Sequence, residues 1–282
     1  MAEKQVYRFT NDIEEVEVCS IGAKIVISPT DDEGITAEYE NPKDSPQFCA
    51  VLLDKKLTFK ETPFIDIIGN IGNKTEENYK ISVYLPKKLF AKITVNTTHG
   101  GVCAKDVSAD SFDLNTASGD INVNAQFNEI RVKTASGRIN VKNALEAPAR
   151  AVNVTTVSGS VEIDAKAEKF SLYSVSGNTV YNNASGEGNV SATSGKIDLN
   201  YCEWNGELNI SAVSGSVNVT LPENSGIDVE FDGISGNLKT DIGSEKGKQI
   251  NLGKGTRGTF GGENCHKVKV KLTSGNVTVS QQ

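Results

Sequence analysis

Residues 112–123 read F-D-L-N-T-A-S-G-D-I-N-V, and this stretch decides the fold. Phe112 and Leu114 alternate with polar residues before a Ser-Gly pair, and Ile121 and Val123 resume the alternation after it. A period of two is typical of a strand with one buried face. Glycine permits a sharp bend of the backbone. The stretch therefore predicts two short strands joined at a corner, a unit that we call a repeat.

The same pattern occurs nine times along the chain, with His-Gly replacing Ser-Gly in the first repeat. The corner glycines are Gly100, Gly119, Gly137, Gly159, Gly177, Gly195, Gly215, Gly236 and Gly275. Successive corners lie 18 to 22 residues apart, except that Gly236 and Gly275 are 39 apart. The long step predicts one irregular repeat between Thr240 and Lys267. A repeat of this length with one bend per copy is typical of a solenoid.

A single repeat is too small to be stable by itself. It buries roughly four large apolar side chains at about 1.5–3 kcal/mol each. Ordering its backbone costs roughly 1–2 kcal/mol per residue. Stability must therefore come from neighbouring repeats that cover both faces of each one. The sequence predicts an all-β, parallel solenoid of about nine to ten repeats of roughly 20 residues.

Several runs carry a resemblance to a known family. They are T-A-S-G-D-I-N-V at 116–123 and T-V-S-G-S-V-E-I at 156–163, preceded by V-Y-L-P at 83–86 and I-T-V at 93–95. On these runs the chain resembles the bacterial putative-adhesin family of unknown function, whose members are similar to the β-helical head domains of some auto-transporter adhesins. The resemblance covers most of the chain, most clearly from residue 80 onwards. It implies a right-handed parallel β-solenoid (β-helix) and no established activity.

The first ninety residues are rich in predicted strands but less regular. Apolar residues at the offsets of a repeat surround Gly22: Val16, Val18, Ile25 and Ile27. A first repeat is therefore expected there, and the rest of the segment is expected to cap the exposed end of the solenoid. We divide the chain into an N-terminal β cap with irregular first repeats at 1–90 and a repetitive solenoid at 91–282, which together form one continuous domain.

One loop of the N-terminal segment is unusually apolar. Residues 63–71 carry five large apolar side chains in nine positions, among them Phe64, Ile67 and Ile68. Either this loop folds back over the end of the solenoid, or it is exposed and contacts a partner or a second copy.

A second candidate surface lies at the position directly before each corner. The residues there are Thr98, Ala117, Ala135, Val157, Val175, Thr193, Val213, Ile234 and Thr273. Val157, Val175, Val213 and Ile234 make the series partly apolar. Either these side chains are half-buried beneath a neighbouring loop, or they form a docking strip for a partner.

Two carboxylates at the same outward position raise the alternative that the protein is an enzyme. Glu162 and Asp198 occupy the same offset after their corners, two repeats apart, with Val180 between them. Two strand spacings separate them by about 10 Å, which is too far for a retaining pair of glycosidase carboxylates. The alternative is a polysaccharide-active β-helix enzyme, and we predict no catalytic residue.

Cysteine and histidine are too sparse to indicate a metal or redox centre. The five cysteines are Cys19, Cys49, Cys103, Cys202 and Cys265. Their odd number and the lack of a C-x-x-C pair predict free thiols in a reducing compartment. His99 and His266 are the two histidines, and no set of four ligands has zinc-site spacing. No metal and no cofactor are predicted.

Charge and hydropathy narrow the classes of partner. The chain has 282 residues and a net charge of −7, which disfavours nucleic acid as a partner. No apolar run reaches the length of a transmembrane helix, and M-A-E-K-Q-V begins no signal peptide. The expected location is the cytoplasm as the sequence is written, or the cell surface if a leader has been removed.

Three lysines alternate with apolar residues near the C terminus. Lys267, Lys269 and Lys271 face outward while Val268 and Leu272 face inward in the predicted strand. Lysines on a terminal strand discourage pairing with another chain. We expect this strand to be the exposed last strand of the solenoid.

The sequence as a whole favours a binding or scaffold module rather than a catalyst. An elongated repeat protein presents a long surface, and the candidate residues are apolar. The predicted partner is a protein or a glycan of unknown identity, and self-association is also open.

Overall fold

The computed structural model describes residues 3–41, 47–62, 79–244, 250–262 and 264–282. These residues form strands, turns and bends without any helix, so the prediction of an all-β protein is confirmed. The chain divides into two compact units, unit 1 at 1–137 and unit 2 at 138–282. The division after residue 90 stays a prediction.

Unit 1 is built from strands with alternating buried and exposed side chains. They are β1 (Glu3–Phe9), β2 (Glu15–Ser20), β3 (Lys24–Thr30), β4 (Ile35–Asn41), β5 (Gln47–Leu53), β6 (Lys56–Thr62), β7 (Lys80–Pro86), β8 (Leu89–Thr97), β9 (Val102–Ser118) and β10 (Ile121–Ser136). The long strands β9 and β10 each contain two segments that pair separately.

Parallel pairing joins the repeats of unit 1 into two ladders. In one ladder β2 lies between β6 and β8, and in the other β3 lies between β7 and β9. The ladders continue through β9 to β10 in parallel register. The repeat around Gly22 is therefore enclosed by neighbours on both sides and is not the outermost one.

Antiparallel strands cover the end of unit 1. Strand β5 pairs with β6, β4 pairs with β7, and β1 pairs with β4, all antiparallel. Behind them Phe48 is stacked on Tyr39 at 4.7 Å between ring centroids and lies 5.9 Å from Phe59. Tyr7 contacts the same ring edge-on at 5.6 Å. Aromatic side chains thus fill the end of this unit.

A buried carboxyl group lies beside this aromatic cluster. Glu61 is 3% exposed, and its Oε2 atom accepts hydrogen bonds from Ser20 Oγ at 2.8 Å and from the Ile21 amide at 2.6 Å. Burial raises the pKa of Glu61 because the charged form loses water. Burial, together with the nearby Glu61 carboxyl group, also raises the pKa of Tyr79 to about 12.

Unit 2 has the same kind of strands. They are β11 (Ile139–Asn143), β12 (Ala149–Asp164), β13 (Ala167–Ala184), β14 (Glu187–Ala192), β15 (Lys196–Tyr201), β16 (Leu208–Leu221), β17 (Ser225–Gly233), β18 (Asn237–Thr240), β19 (Ile250–Leu252), β20 (Arg257–Gly261) and β21 (Asn264–Gln281). Strands β12 to β16 stack in parallel in chain order. The order changes after β16.

The C-terminal strand β21 lies inside unit 2. It pairs in parallel with β16 on one side and with β17 and β18 on the other. Antiparallel strands β20 and β19 then cover β17 and β18. The irregular stretch between Thr240 and Lys267 therefore supplies covering strands, and the outermost repeat is the one formed by β17 and β18.

The prediction that the three lysines protect an exposed last strand is wrong. Strand β21 is paired on both sides, so its lysines have no free edge to protect. The register places each lysine opposite a carboxylate of β17: Asp228 opposite Lys267, Glu230 opposite Lys269 and Asp232 opposite Lys271. Opposite charges across neighbouring strands are stabilising. Across this ladder Lys267 Nζ forms an ion pair with Glu230 at 3.7 Å.

Candidate interaction surface

The Ser-Gly corners stack directly on one another. Ser158 pairs with Ser176, and Gly159 pairs with Gly177. Gly177 has a φ of +122°, and a Cβ atom there would lie 2.0 Å from the carbonyl oxygen of Gly159. Only glycine allows this conformation and this approach. The corners therefore hold their neighbours at a fixed height in the stack.

The corner serines bond to the backbone of the preceding repeat, at the residue directly before its own corner. Ser176 Oγ donates to the Val157 carbonyl at 3.3 Å, and Ser194 Oγ donates to the Val175 carbonyl at 3.2 Å. Ser-Gly pairs favour such side-chain bonds to turn backbone. The side chains directly before the corners are thereby held on the outside of the stack.

These outward side chains form a series in unit 2 that we call the corner column. In stacking order it contains Val157, Val175, Thr193, Val213, Thr273 and Ile234. Val157 is 49% exposed, Val213 48% and Ile234 77%, whereas Val175 is half-buried. Three of the four predicted apolar residues are therefore exposed, and the alternative of burial beneath a loop describes only Val175.

Stacking order and chain order differ within the corner column. Ser214 pairs with Ser274, and the Ser235 amide donates to the Thr273 carbonyl at 2.9 Å. Thr273 therefore separates Val213 from Ile234. The apolar part of the column is interrupted by threonines, which are also β-branched.

Sequence reasoning missed an exposed aromatic residue beside the corner column. Tyr173 is 45% exposed and lies two residues before Val175, so both side chains point to the same face of β13. Its neighbours in the stack are Thr155 and Ser191. A large aromatic residue at an outward position between small polar ones was the signal available in the sequence.

The same position in unit 1 carries smaller or polar side chains in most repeats. They are Thr98, Ala117 and Ala135, all exposed, and the stack continues to Ile21, which lies next to Thr98 and is 39% exposed. The other predicted partner residues, Phe64, Ile67 and Ile68, lie outside the described residues.

The two carboxylates of the enzyme alternative lie in one outward series but do not form a site. Glu162 pairs with Val180, which pairs with Asp198. Asp198 accepts hydrogen bonds from Lys196 and from Asn218, each at 2.7 Å. Both carboxylate oxygens of Asp198 therefore have hydrogen-bond partners, one a lysine and the other an asparagine amide.

Within the described ranges, no group of three or more His, Cys, Asp or Glu side chains converges in a way that could hold a metal ion. The five cysteines are free and half-buried. Cys265 Sγ donates to the Gly262 carbonyl at 3.0 Å, and the ring of its neighbour His266 contacts Trp204 edge-on at 5.7 Å. These contacts leave the Cys265–His266 pair in structural roles.

One groove of the described residues is lined by polar groups. It has a volume of about 510 Å³ in unit 2 and is lined by Glu168, Glu187 and Glu207 beside the backbone of Gly186 and Gly206. Lys169 forms an ion pair with Glu187 at 3.4 Å. Ser185 also lines the groove, and its hydroxyl bonds to the backbone amide and carbonyl of Ala167, each at 2.9 Å.

Fold and surface together define an all-β repeat protein with stacked corners. The chain belongs to the Toastrack DUF4097 family, whose sequence profile matches residues 13–280. No curated protein sequence matches the chain. No membrane-spanning helix is found in the described part of the chain.

Solved structures of bacterial proteins are similar in fold. A putative lipid binding protein from Parabacteroides distasonis has a TM-score of 0.52 at 13% identity, covering 99% of this chain and 96% of the other. A putative adhesin from Bacteroides fragilis has a TM-score of 0.45 at 13% identity, covering 99% and 97%. A putative adhesin from Parabacteroides merdae has a TM-score of 0.37 at 11% identity, covering 99% and 96%.

Proposed function

We propose that the protein is a non-catalytic binding or scaffold module. In this proposal the chain is a right-handed parallel β-solenoid of nine to ten Ser-Gly-cornered repeats, and the corner column of unit 2 binds a protein or glycan partner. The observation that carries the proposal is the exposure of Val157, Val213 and Ile234 on a backbone held by stacked corners.

Rigidity and composition support this proposal. An apolar side chain on a fixed strand loses little conformational freedom when a partner covers it. Tyr173 adds an exposed aromatic ring near the centre of the surface, and aromatic residues are enriched where partners bind. The net charge of the chain is −7, which disfavours nucleic acid as a partner on electrostatic grounds.

The test compares the native chain with a triple variant, Val157→Ser, Val175→Ser and Val213→Ser. We expect retention of partners from an extract of the native host, and of glycans on an array, to fall at least about tenfold, the equivalent of 1.4 kcal/mol. The thermal midpoint should change little because two of the three side chains are about half exposed.

The matched control replaces Ala117 and Ala135 by serine at the same offset in unit 1. This variant should keep full binding. Binding that survives the triple substitution, or a triple variant that unfolds, would contradict the proposal because the column would then be core or irrelevant.

A further inference from the structure

Two strands of unit 1 are outermost at the same end, and they differ in charge. Strand β1 reads E-K-Q-V-Y-R-F and exposes Lys4 and Arg8. Strand β5 reads Q-F-C-A-V-L-L and has no charged residue. Val51 is 55% exposed and Leu53 is 71% exposed on β5. Outermost strands usually carry charges that prevent pairing with another chain, and β5 lacks them.

The hairpin formed by β5 and β6 determines which backbone groups of β5 point away from β6. Only Asp54 and Lys55 separate β5 from β6, and Leu53 pairs with Lys56. A two-residue loop makes its flanking residues a hydrogen-bonded pair, and such pairs alternate along an antiparallel ladder. Leu53, Val51 and Cys49 therefore bond to β6.

The remaining residues of β5 direct their backbone groups to the opposite edge. This places the amide and carbonyl groups of Phe48, Ala50 and Leu52 on that edge. One contact supports the assignment independently, because Tyr7 Oη donates to the Phe48 carbonyl at 2.7 Å from the side away from β6. Within the described residues β5 pairs with β6 alone, so Ala50 and Leu52 offer an unpaired ladder.

We propose that this edge is a self-association surface on which β5 of a second copy pairs antiparallel. A twofold axis at Ala50 places Ala50 opposite the same residue of the second copy and Phe48 opposite Leu52. Every edge-facing residue then meets an edge-facing residue, as a hydrogen-bonded pair requires. The Phe48 carbonyl keeps its bond from Tyr7 Oη and accepts the Leu52 amide of the second copy with its other lone pair. The surface is complementary to itself, as a twofold interface must be, and it brings no like charges together.

The pairing also defines the neighbours of the outward side chains. Cys49 of one copy lies opposite Val51 of the other, and Leu53 lies opposite Gln47. Val51, exposed in the single chain, becomes covered. The proposal is independent of the corner column, which lies in unit 2.

Sedimentation equilibrium of the full chain tests the proposal over about 1 µM to 1 mM, the range of weak association. The native chain should dimerise. Val51→Lys should raise the dissociation constant at least about tenfold, which corresponds to 1.4 kcal/mol, because lysine disfavours pairing of an edge strand. Val6→Lys is the matched control, since Val6 is 46% exposed on β1, and it should leave the dissociation constant unchanged.

Disulfide trapping tests the register. In the Val51→Cys variant the new thiol lies opposite Cys49 of the second copy in a non-hydrogen-bonded pair, with Cα atoms about 4.5 Å apart, within the range for a disulfide. Mild oxidation should yield a covalent dimer on a non-reducing gel. The double variant Val51→Cys, Cys49→Ser should give at least about tenfold less of it.

Three outcomes would overturn the proposal. They are a native chain that stays monomeric at every concentration, an equal effect of Val6→Lys and Val51→Lys, and an unchanged yield of covalent dimer without Cys49. Circular dichroism and the thermal midpoint of each variant show whether loss of the dimer is separate from loss of the fold.

Discussion

In both units antiparallel strands cover the outermost repeat at one end, but the side chains at these two ends differ. In unit 1 the repeat nearest the N terminus, β2 and β3, is enclosed between other repeats, and antiparallel strands cover the outermost repeat. In unit 2 the repeat nearest the C terminus, β21, is enclosed in the same way, again beneath antiparallel strands. Stacked aromatic rings fill the end of unit 1, whereas a row of three lysines lies opposite three carboxylates at the end of unit 2.

The comparison shows which features belong to the repeat and which belong to an end. Corners and alternating buried residues are common to both units, so they are needed wherever repeats stack. The aromatic cluster around Phe48, with Glu61 beside it, and the row of lysines opposite the carboxylates of β17 lie at the ends. They are local means of finishing a stack whose terminal repeat would otherwise expose its backbone and its core.

The largest effect should come from the shared corner. Alanine at Gly137 in unit 1 would place a Cβ atom 2.3 Å from the Gly119 carbonyl oxygen, and alanine at Gly177 in unit 2 would place one 2.0 Å from that of Gly159. Both glycines have positive φ. We expect each substitution to lower the free energy of unfolding by about 4 kcal/mol, from strain and overpacking together.

Chemical denaturation measures this loss. Gly253→Ala is the control, because a Cβ atom there meets nothing within 4 Å and should change stability by less than about 0.5 kcal/mol. A clear difference between the two corner variants would break the conclusion that both units depend equally on their corners.

The next effect separates the two ends. Phe48→Ala removes a ring that is 4% exposed and contacts three aromatic neighbours, so we expect a loss of about 3–5 kcal/mol. Phe260→Ala in the covering strand β20 removes a half-buried ring and should cost roughly half as much or less. Urea unfolding of both variants checks the order, and equal losses would show that the end of unit 2 also depends on aromatic packing.

A smaller effect concerns the choice of partner by β21. Lys271→Glu places a carboxylate opposite Asp232, and we expect it to cost about 1 kcal/mol. Adding Asp232→Lys restores opposite charges in reversed order and should recover most of the loss. Denaturation of both single variants and the double variant gives the coupling energy. Additive losses would mean that these charges do not select the register.

The smallest effect concerns pH and is confined to unit 1. Burial raises the pKa of Glu61, so the folded chain binds a proton that the unfolded chain releases near pH 4.3, the ordinary value for glutamate. The contribution of Glu61 to stability is then fully present below that pH and is lost as pH rises through the folded-state pKa. Glu61→Gln should flatten this part of the stability profile, measured by thermal unfolding between about pH 4 and 8. An unchanged profile would place the pH dependence elsewhere.

The internal structure of a repeat could be predicted from the sequence. Alternation fixes which residues are buried, and Phe112, Leu114, Ile121 and Val123 are all at or near zero exposure. The stacking order at the ends could not. Val16, Val18, Ile25 and Ile27 have the same period as any other repeat, so nothing local says that β6 and β7 lie outside them.

The error over the lysines has the same origin. Lys267, Lys269 and Lys271 look like edge protection when only their own strand is considered. Their role becomes visible only beside the carboxylates of β17, at the same two-residue spacing. Whether the corner column is exposed could not be predicted either, because it depends on the path of neighbouring loops, and loop paths leave no periodic signal in the sequence.

The enclosed position of β21 has a consequence for biosynthesis. Translation delivers β16, β17 and β18 before β21, although β21 must lie between them. A nascent chain therefore holds the strand edges of β16 and β17 without their partner until β21 has been synthesised. A chain interrupted before residue 264 would leave both edges open to aggregation.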